Sequence, residues 1–212
     1  MSEVSKTLLA AIGICFIIQL IFPAFTDAFE LNPYLALSEP WRLVTSIFLH
    51  DASGFMHIFF NAYALFMFGS ILETQIRKRE FLILFFGAGI IGSILYLLTT
   101  LGPAPPLCRD PVTGAVMLCS ALGASGAIYG ILGAVAVLLP DLKIFFWFFP
   151  MKIRYAAILW VALEFFGTFD SGSGVASAAH LGGLLFGLAY AWWLKNRRPV
   201  VRAAWEWQPA YE

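Results

Sequence analysis

Charge is scarce in this chain. Only 12% of its 212 residues are Asp, Glu, Lys or Arg, and the two signs balance to a formal net charge of zero. With no basic patch away from the ends of its apolar runs, the chain is not built to bind nucleic acid. Cysteine is also rare. Cys15, Cys108 and Cys119 are too few for a framework of paired disulfides, and Cys15 and Cys119 lie in apolar runs as packing residues. The HExxH spacing of membrane metalloproteases is missing, so His50, His57 and His180 form no metal motif, and no cofactor or metal is expected. No basic n-region of any strength precedes Thr7–Phe25, which therefore reads as a first span rather than a cleavable signal. Inverted repeats with paired broken helices, the mark of a transporter, are not evident.

Apolar residues fill the space that charge leaves. They make up 60% of the chain, with a mean hydropathy of +0.82, which no ordinary soluble domain shows. The expectation is an all-α polytopic membrane protein. Charge-free runs predict six spans, at about 7–25, 55–72, 81–101, 125–139, 154–169 and 175–194, each long enough to cross or nearly so. They make one membrane domain over residues 1–198, followed by a short flexible cytoplasmic tail over 199–212. The stretch Thr26–Asp51 is too apolar for a solvated loop and too polar to span, so it should be a structured loop lying in the interface, with Tyr34 and Trp41 at headgroup level.

Basic residues sort by side. Arg77, Lys78, Arg79, Lys143, Lys152, Arg154, Lys195, Arg197, Arg198 and Arg202 fall in the 2–3 loop, the 4–5 loop or the tail, whereas the opposite loops hold only Arg42 and Arg109. The positive-inside rule then places both termini in the cytoplasm.

The stretch the rest is organised around is Leu118–Gly133, inside a run of 30 residues, Pro111–Pro140, without a single charge. That run exceeds the roughly 20 residues a simple span needs. Gly114 and Gly123 suggest that its first third is irregular, with a shorter helix starting near Ser125. Irregular backbone at that depth must be buried in protein or line a wet cavity. A serine at such a start has free N–H groups and the positive helix end beside it, a setting that stabilises an oxyanion. Taken alone, Gly126 and Gly130 read first as a helix-packing face.

Other polar residues in the spans shift that balance, because they are costly there unless functional or paired. His57 and Asn61 are one turn apart and share a face. His180 shares a face with Gly183 and Gly187, so a neighbouring helix can approach it closely. The simplest assembly packs spans 4 and 6 through small residues and sets Ser125 beside His180, with Tyr129 one turn below as a platform for the ring. His180 can then serve as base to a Ser125 nucleophile. His57, Asn61 and the Ser125 amide would supply donors to the oxyanion. No aspartate is placed to orient His180, so the reading is a Ser–His dyad. Glu164 either pairs with a neighbouring helix or lines the cavity.

These residues carry a family resemblance. Trp41-Arg42, His57-Ile-Phe-Phe-Asn61, Gly123-Ala-Ser125-Gly126 with Tyr129, and Ala179-His180-x-x-Gly183-x-x-x-Gly187 occur in order along the chain, and the sequence resembles the rhomboid intramembrane serine proteases. The resemblance implies a six-helix bundle whose shortened fourth helix carries the nucleophile at the floor of a water-filled cavity. It implies Ser125 as nucleophile, His180 as general base, and His57, Asn61 and the Ser125 amide as the oxyanion site. Tyr129 would support the His180 ring, and Gly123 and Gly126 would complete the motif. Asp170–Gly174 would belong to a mobile cap. The expected partners are transmembrane protein substrates and membrane lipids. The expected setting is a prokaryotic plasma membrane, with the site opening to the extracytoplasmic side. A non-catalytic rhomboid-like protein that holds transmembrane clients is the competing reading.

Overall fold

The computed structural model describes residues 3–102, 105–109, 113–146, 149–168 and 177–197. The Asp170–Gly174 turn and the 199–212 tail lie outside the described residues. The structure is mostly helical. Helix α1 runs over Glu3–Ile21, α2 over Ala24–Phe29 and α3 over Arg42–Thr45. Helix α4 (Phe55–Ala64) continues through a π turn at Leu65–Gly69 into α5 (Ser70–Leu72), followed by α6 (Lys78–Thr99). The strands β1 (Leu107–Arg109) and β2 (Val116–Leu118) pair as an antiparallel hairpin before α7 (Ser125–Leu138). A second hairpin, β3 (Lys143–Phe146) with β4 (Phe149–Lys152), leads into α8 (Ile153–Gly167), and α9 covers Ser177–Arg197.

Three of the described helical stretches, Glu3–Ile21, Phe55–Leu72 and Lys78–Thr99, are long and apolar enough to cross a membrane. Their outward faces carry exposed Ile14, Ile17, Ile21, Phe55, Phe59 and Phe60. So much contiguous apolar surface suits lipid rather than water, and the chain is an integral membrane protein.

Local chemistry sets the helix ends. Helix α1 begins four residues before its charge-free run, because the Glu73 carboxylate accepts hydrogen bonds from the Val4 and Ser5 amides and the Ser5 hydroxyl. A carboxylate at that end answers the free amides and the dipole. The helix stops before Pro23, which has no N–H to extend it. At the start of α6, Glu80 reaches back to the Arg77 amide at 2.9 Å, half of a capping box.

Helix α7 is the centre of the assembly, packed by α6, α8, α9 and the π turn, with ten of its residues buried. Its contact with α9 is backbone against backbone. A Cβ on Gly183 would fall on the Gly126 carbonyl oxygen, and one on Gly187 on the Gly130 carbonyl oxygen. Lipid offers no hydrophobic drive for helix association, so this close approach is what dispersion needs. Neither helix can yield without parting from the other. We expect Gly187→Leu to give no monodisperse folded protein in detergent, because overpacking typically costs about 1–3 kcal/mol and backbone cannot repack as a side chain does.

One sequence expectation is corrected here. Cys119 is not a lone packing residue: it pairs with Cys108 as a disulfide, the β1–β2 hairpin bringing their Cα atoms to 5.1 Å. The stretch Thr26–Asp51 is structured, with α3 and most of α2 inside it, tied together by Arg42. That side chain is 4% exposed. It donates to Glu39 at 2.6 Å and to the Asp27 and Glu30 carbonyls at 2.8 Å each, as a buried guanidinium requires. Tyr34 and Trp41 remain exposed.

Candidate active site

Ser125 is the first residue of α7, and the chain leading to it is held from two sides. Ala121 bridges Leu31 through both backbone groups, at 2.8 and 3.0 Å, and the Gly123 amide donates to the Ser46 carbonyl at 2.9 Å. The Tyr96 phenol donates to the Cys119 carbonyl at 2.8 Å. Gly123 turns with φ +127°, a conformation costly for any residue with a side chain. By helix geometry the first amides of α7 lack intrahelical acceptors, and they open where Ser125 stands.

The close α7–α9 contact brings Ser125 and His180 together across 55 residues. The Ser125 Oγ and His180 Nε2 lie 2.8 Å apart. The Tyr129 ring stacks on the imidazole at 4.5 Å between centroids and 4° between planes, and Trp160 of α8 meets Tyr129 edge-on. On the other ring edge, His180 Nδ1 is 3.1 Å from Glu164 Oε1. This settles the open choice for Glu164, which reaches across from α8 to His180.

On the opposite wall, α4 brings His57 to the same space. A Cβ on Gly123 would sit 2.9 Å from His57 Nε2 and 3.7 Å from Ser125 Oγ, so the missing side chain leaves room between them. The Asp51 amide donates to His57 Nδ1 at 3.3 Å. A neutral ring that accepts at Nδ1 carries its proton on Nε2, the nitrogen that faces Ser125. Asn61 is buried on the same helix face and gives one amide hydrogen to the His57 carbonyl at 3.0 Å, which leaves a second donor. Ser125, His180, His57, Asn61, Tyr129 and Trp160 all line one cavity of ≈ 1130 Å³. Gly123 and Gly126 are not among its lining residues.

Gln19 contributes a constraint that reading the first span as uniformly apolar misses. It is 1% exposed, and its amide clamps the His50 backbone, donating to the carbonyl at 2.9 Å and accepting from the amide at 3.0 Å. That clamp fixes the backbone next to the Asp51 N–H that sets the His57 tautomer. The visible signal was one amide in an otherwise apolar run. Among the described residues no group of three His, Cys, Asp or Glu could hold a metal.

His50 itself is fully buried in the loop before α4, its ring 5.1 Å from that of His57. Burial first, and the neighbouring His57 second, push its pKa down to about 4. The folded state therefore keeps this ring neutral while an unfolded histidine protonates near 6.5. Below about pH 6.5 the unfolded chain binds the extra proton, so stability falls as pH drops from there toward 4. We expect the thermal midpoint in detergent to fall over that window, and to fall less in His50→Phe, which cannot titrate.

A helical membrane protein with a serine, an imidazole and a carboxylate gathered at the start of an internal helix is the class that fold and site define. The chain belongs to the rhomboid family: the family model described as Rhomboid domain matches residues 37–197. It is 32% identical over 195 residues to Rhomboid protein 1, mitochondrial, of Saccharomyces cerevisiae, covering 84% of this chain and 51% of that protein. With the putative rhomboid protease YdcA of Bacillus subtilis it shares 40% identity over 102 residues, 48% of this chain and 43% of the relative. With the rhomboid protease GluP of the same organism the figures are 32% over 157 residues, 74% of this chain and 26% of the relative. The chain thus spans about half the length of the first of these relatives and less of the other two.

Proposed function

We propose that the chain is an intramembrane serine endopeptidase that cleaves transmembrane segments of membrane proteins. The observation that carries the reading is the 2.8 Å approach of Ser125 Oγ to His180 Nε2 inside a cavity. His180 Nε2 takes the hydroxyl proton as Ser125 Oγ attacks the scissile carbonyl, and later gives it to the leaving amine. The tetrahedral oxyanion is received by the Ser125 amide, the His57 Nε2–H and the free Asn61 amide hydrogen. Water then repeats the sequence on the acyl-enzyme. Membership of a family with members named proteases supports the assignment.

In this reading residues 1–198 form one membrane protease domain of six crossings: α1, α4–α5, α6, the short α7, α8 and α9. Both termini are cytoplasmic and the cavity opens to the extracytoplasmic side. The sorting of basic residues supports that orientation. So does the disulfide in the β1–β2 hairpin, on the side assigned to an oxidising compartment. Membrane lipids and single-span proteins are the partners. A substrate helix hides its carbonyls in internal hydrogen bonds, so the preferred substrates carry helix-weakening Gly or Pro near the cut and a small residue before it.

The experiment is proteolysis of a panel of single-span proteins by the purified, reconstituted enzyme, with the cut mapped by mass spectrometry. We expect cleavage within or at the edge of the membrane segment, and slower cleavage when Gly or Pro near the cut becomes Leu. Rates indifferent to those replacements would defeat the substrate reading.

A further inference from the structure

We infer that Glu164 is the positioning residue for His180, making the site a Ser125–His180–Glu164 relay rather than a two-residue site; this rests on the proposed protease reading. The carboxylate oxygen Oε1 lies 3.1 Å from His180 Nδ1 while Nε2 lies 2.8 Å from Ser125 Oγ, so the two ring nitrogens face opposite partners. A carboxylate accepts and never donates. It therefore requires the proton on Nδ1 and leaves the Nε2 lone pair toward the serine hydroxyl, the tautomer a general base needs. Both side chains are enclosed, 13% and 12% exposed, so the pair is only weakly screened. An acid in an apolar span is costly unless it is paired, and Glu164 meets that requirement at the ring. The Tyr129 phenol and the Ser177 hydroxyl face the same carboxylate, which holds its rotamer. Tyr129 thus touches both members, stacking on one and facing the other.

The carboxylate has two effects. It keeps the ring from flipping into the wrong tautomer, and it stabilises the imidazolium that forms when Ser125 gives up its proton. The second effect leaves a signature that simple structural support does not. Among the described residues the titratable groups facing the ring are His57 on α4, Tyr129 on α7 and Glu164 on α8. Only Glu164 carries a negative charge near neutrality. Removing it leaves the imidazolium that forms during the reaction without its partner charge, which a neutral Gln cannot replace. The acidic limb of the rate profile then moves to lower pH.

The test is steady-state cleavage of one single-span substrate by reconstituted wild type, Glu164→Gln, Glu164→Asp and Ser125→Ala, with thermal midpoints alongside. We expect Glu164→Gln to lower kcat by about 100-fold with KM nearly unchanged, within the 10⁴-fold ceiling known for losing a triad acid. Its acidic limb should shift to lower pH, and Glu164→Asp should recover part of the loss. Wild-type kcat in Glu164→Gln, or a loss with an unmoved pH profile and no recovery in Glu164→Asp, overturns the positioning role. Activity surviving in Ser125→Ala would instead overturn the parent reading, so the two failures are distinct.

Discussion

Replacing Ser125 with Ala, or His180 with Ala, is expected to take cleavage below detection while leaving a folded, monodisperse protein. In soluble serine proteases, loss of nucleophile or base alone costs about 10⁶-fold in kcat. Here Ser125 Oγ and His180 Nε2 are 2.8 Å apart, and no other described hydroxyl shares that geometry with a histidine. The fold should survive both changes. Ser125→Ala removes one oxygen at a cavity surface, and α7 is held to α9 through Gly126 and Gly130 rather than through Ser125. A fluorophosphonate probe supplies the second readout. It should label Ser125 in the wild type and not in His180→Ala. An unreactive Ser125 in a well-folded wild type would favour the non-catalytic client-binding reading instead. Cleavage persisting in purified Ser125→Ala would end the nucleophile assignment.

Much of this site is legible in the sequence because membrane helices tolerate polar side chains only for a reason. His57 and Asn61 one turn apart, Ser125 at a helix start, and His180 on a face with Gly183 and Gly187 are each a local pattern, and small residues tell where backbones can meet. What sequence does not display is partnership across helices. Glu164 advertised its cost, but its partner lies 16 residues on, and which face of α8 meets α9 is decided by packing. The Cys108–Cys119 pair depends on β1 and β2 pairing antiparallel, which these two short segments do not announce in sequence. The same holds for β3–β4, where Lys143 and Lys152 read as loop charges yet stand opposite each other in register. Gln19 was the subtler omission: one amide scarcely lowers the hydropathy of a 19-residue helix, yet it clamps a loop 31 residues away.

Filling the space beside Gly123 should be nearly as damaging as removing an oxyanion donor. Gly123→Ala places a methyl 2.9 Å from His57 Nε2 and 3.7 Å from Ser125 Oγ, where it crowds the His57 ring away from the oxyanion, and it strains a backbone held at φ +127°. His57→Ala removes the donor itself. Each change should lower kcat by about 100- to 1,000-fold, the usual cost of one oxyanion donor. Because both act on one small volume, their effects should not multiply. Once the imidazole is gone, the methyl introduced by Gly123→Ala has nothing left to displace, and His57→Ala with Gly123→Ala should be little slower than the worse single variant. Thermal midpoints separate strain from chemistry: Gly123→Ala carries the backbone penalty in either background, whereas the rate loss saturates. Multiplicative rate losses would place the oxyanion elsewhere than between His57 and Ser125. A His57→Ala enzyme at the wild-type rate would remove the histidine from the chemistry altogether and leave the Ser125 amide and Asn61 to hold the charge.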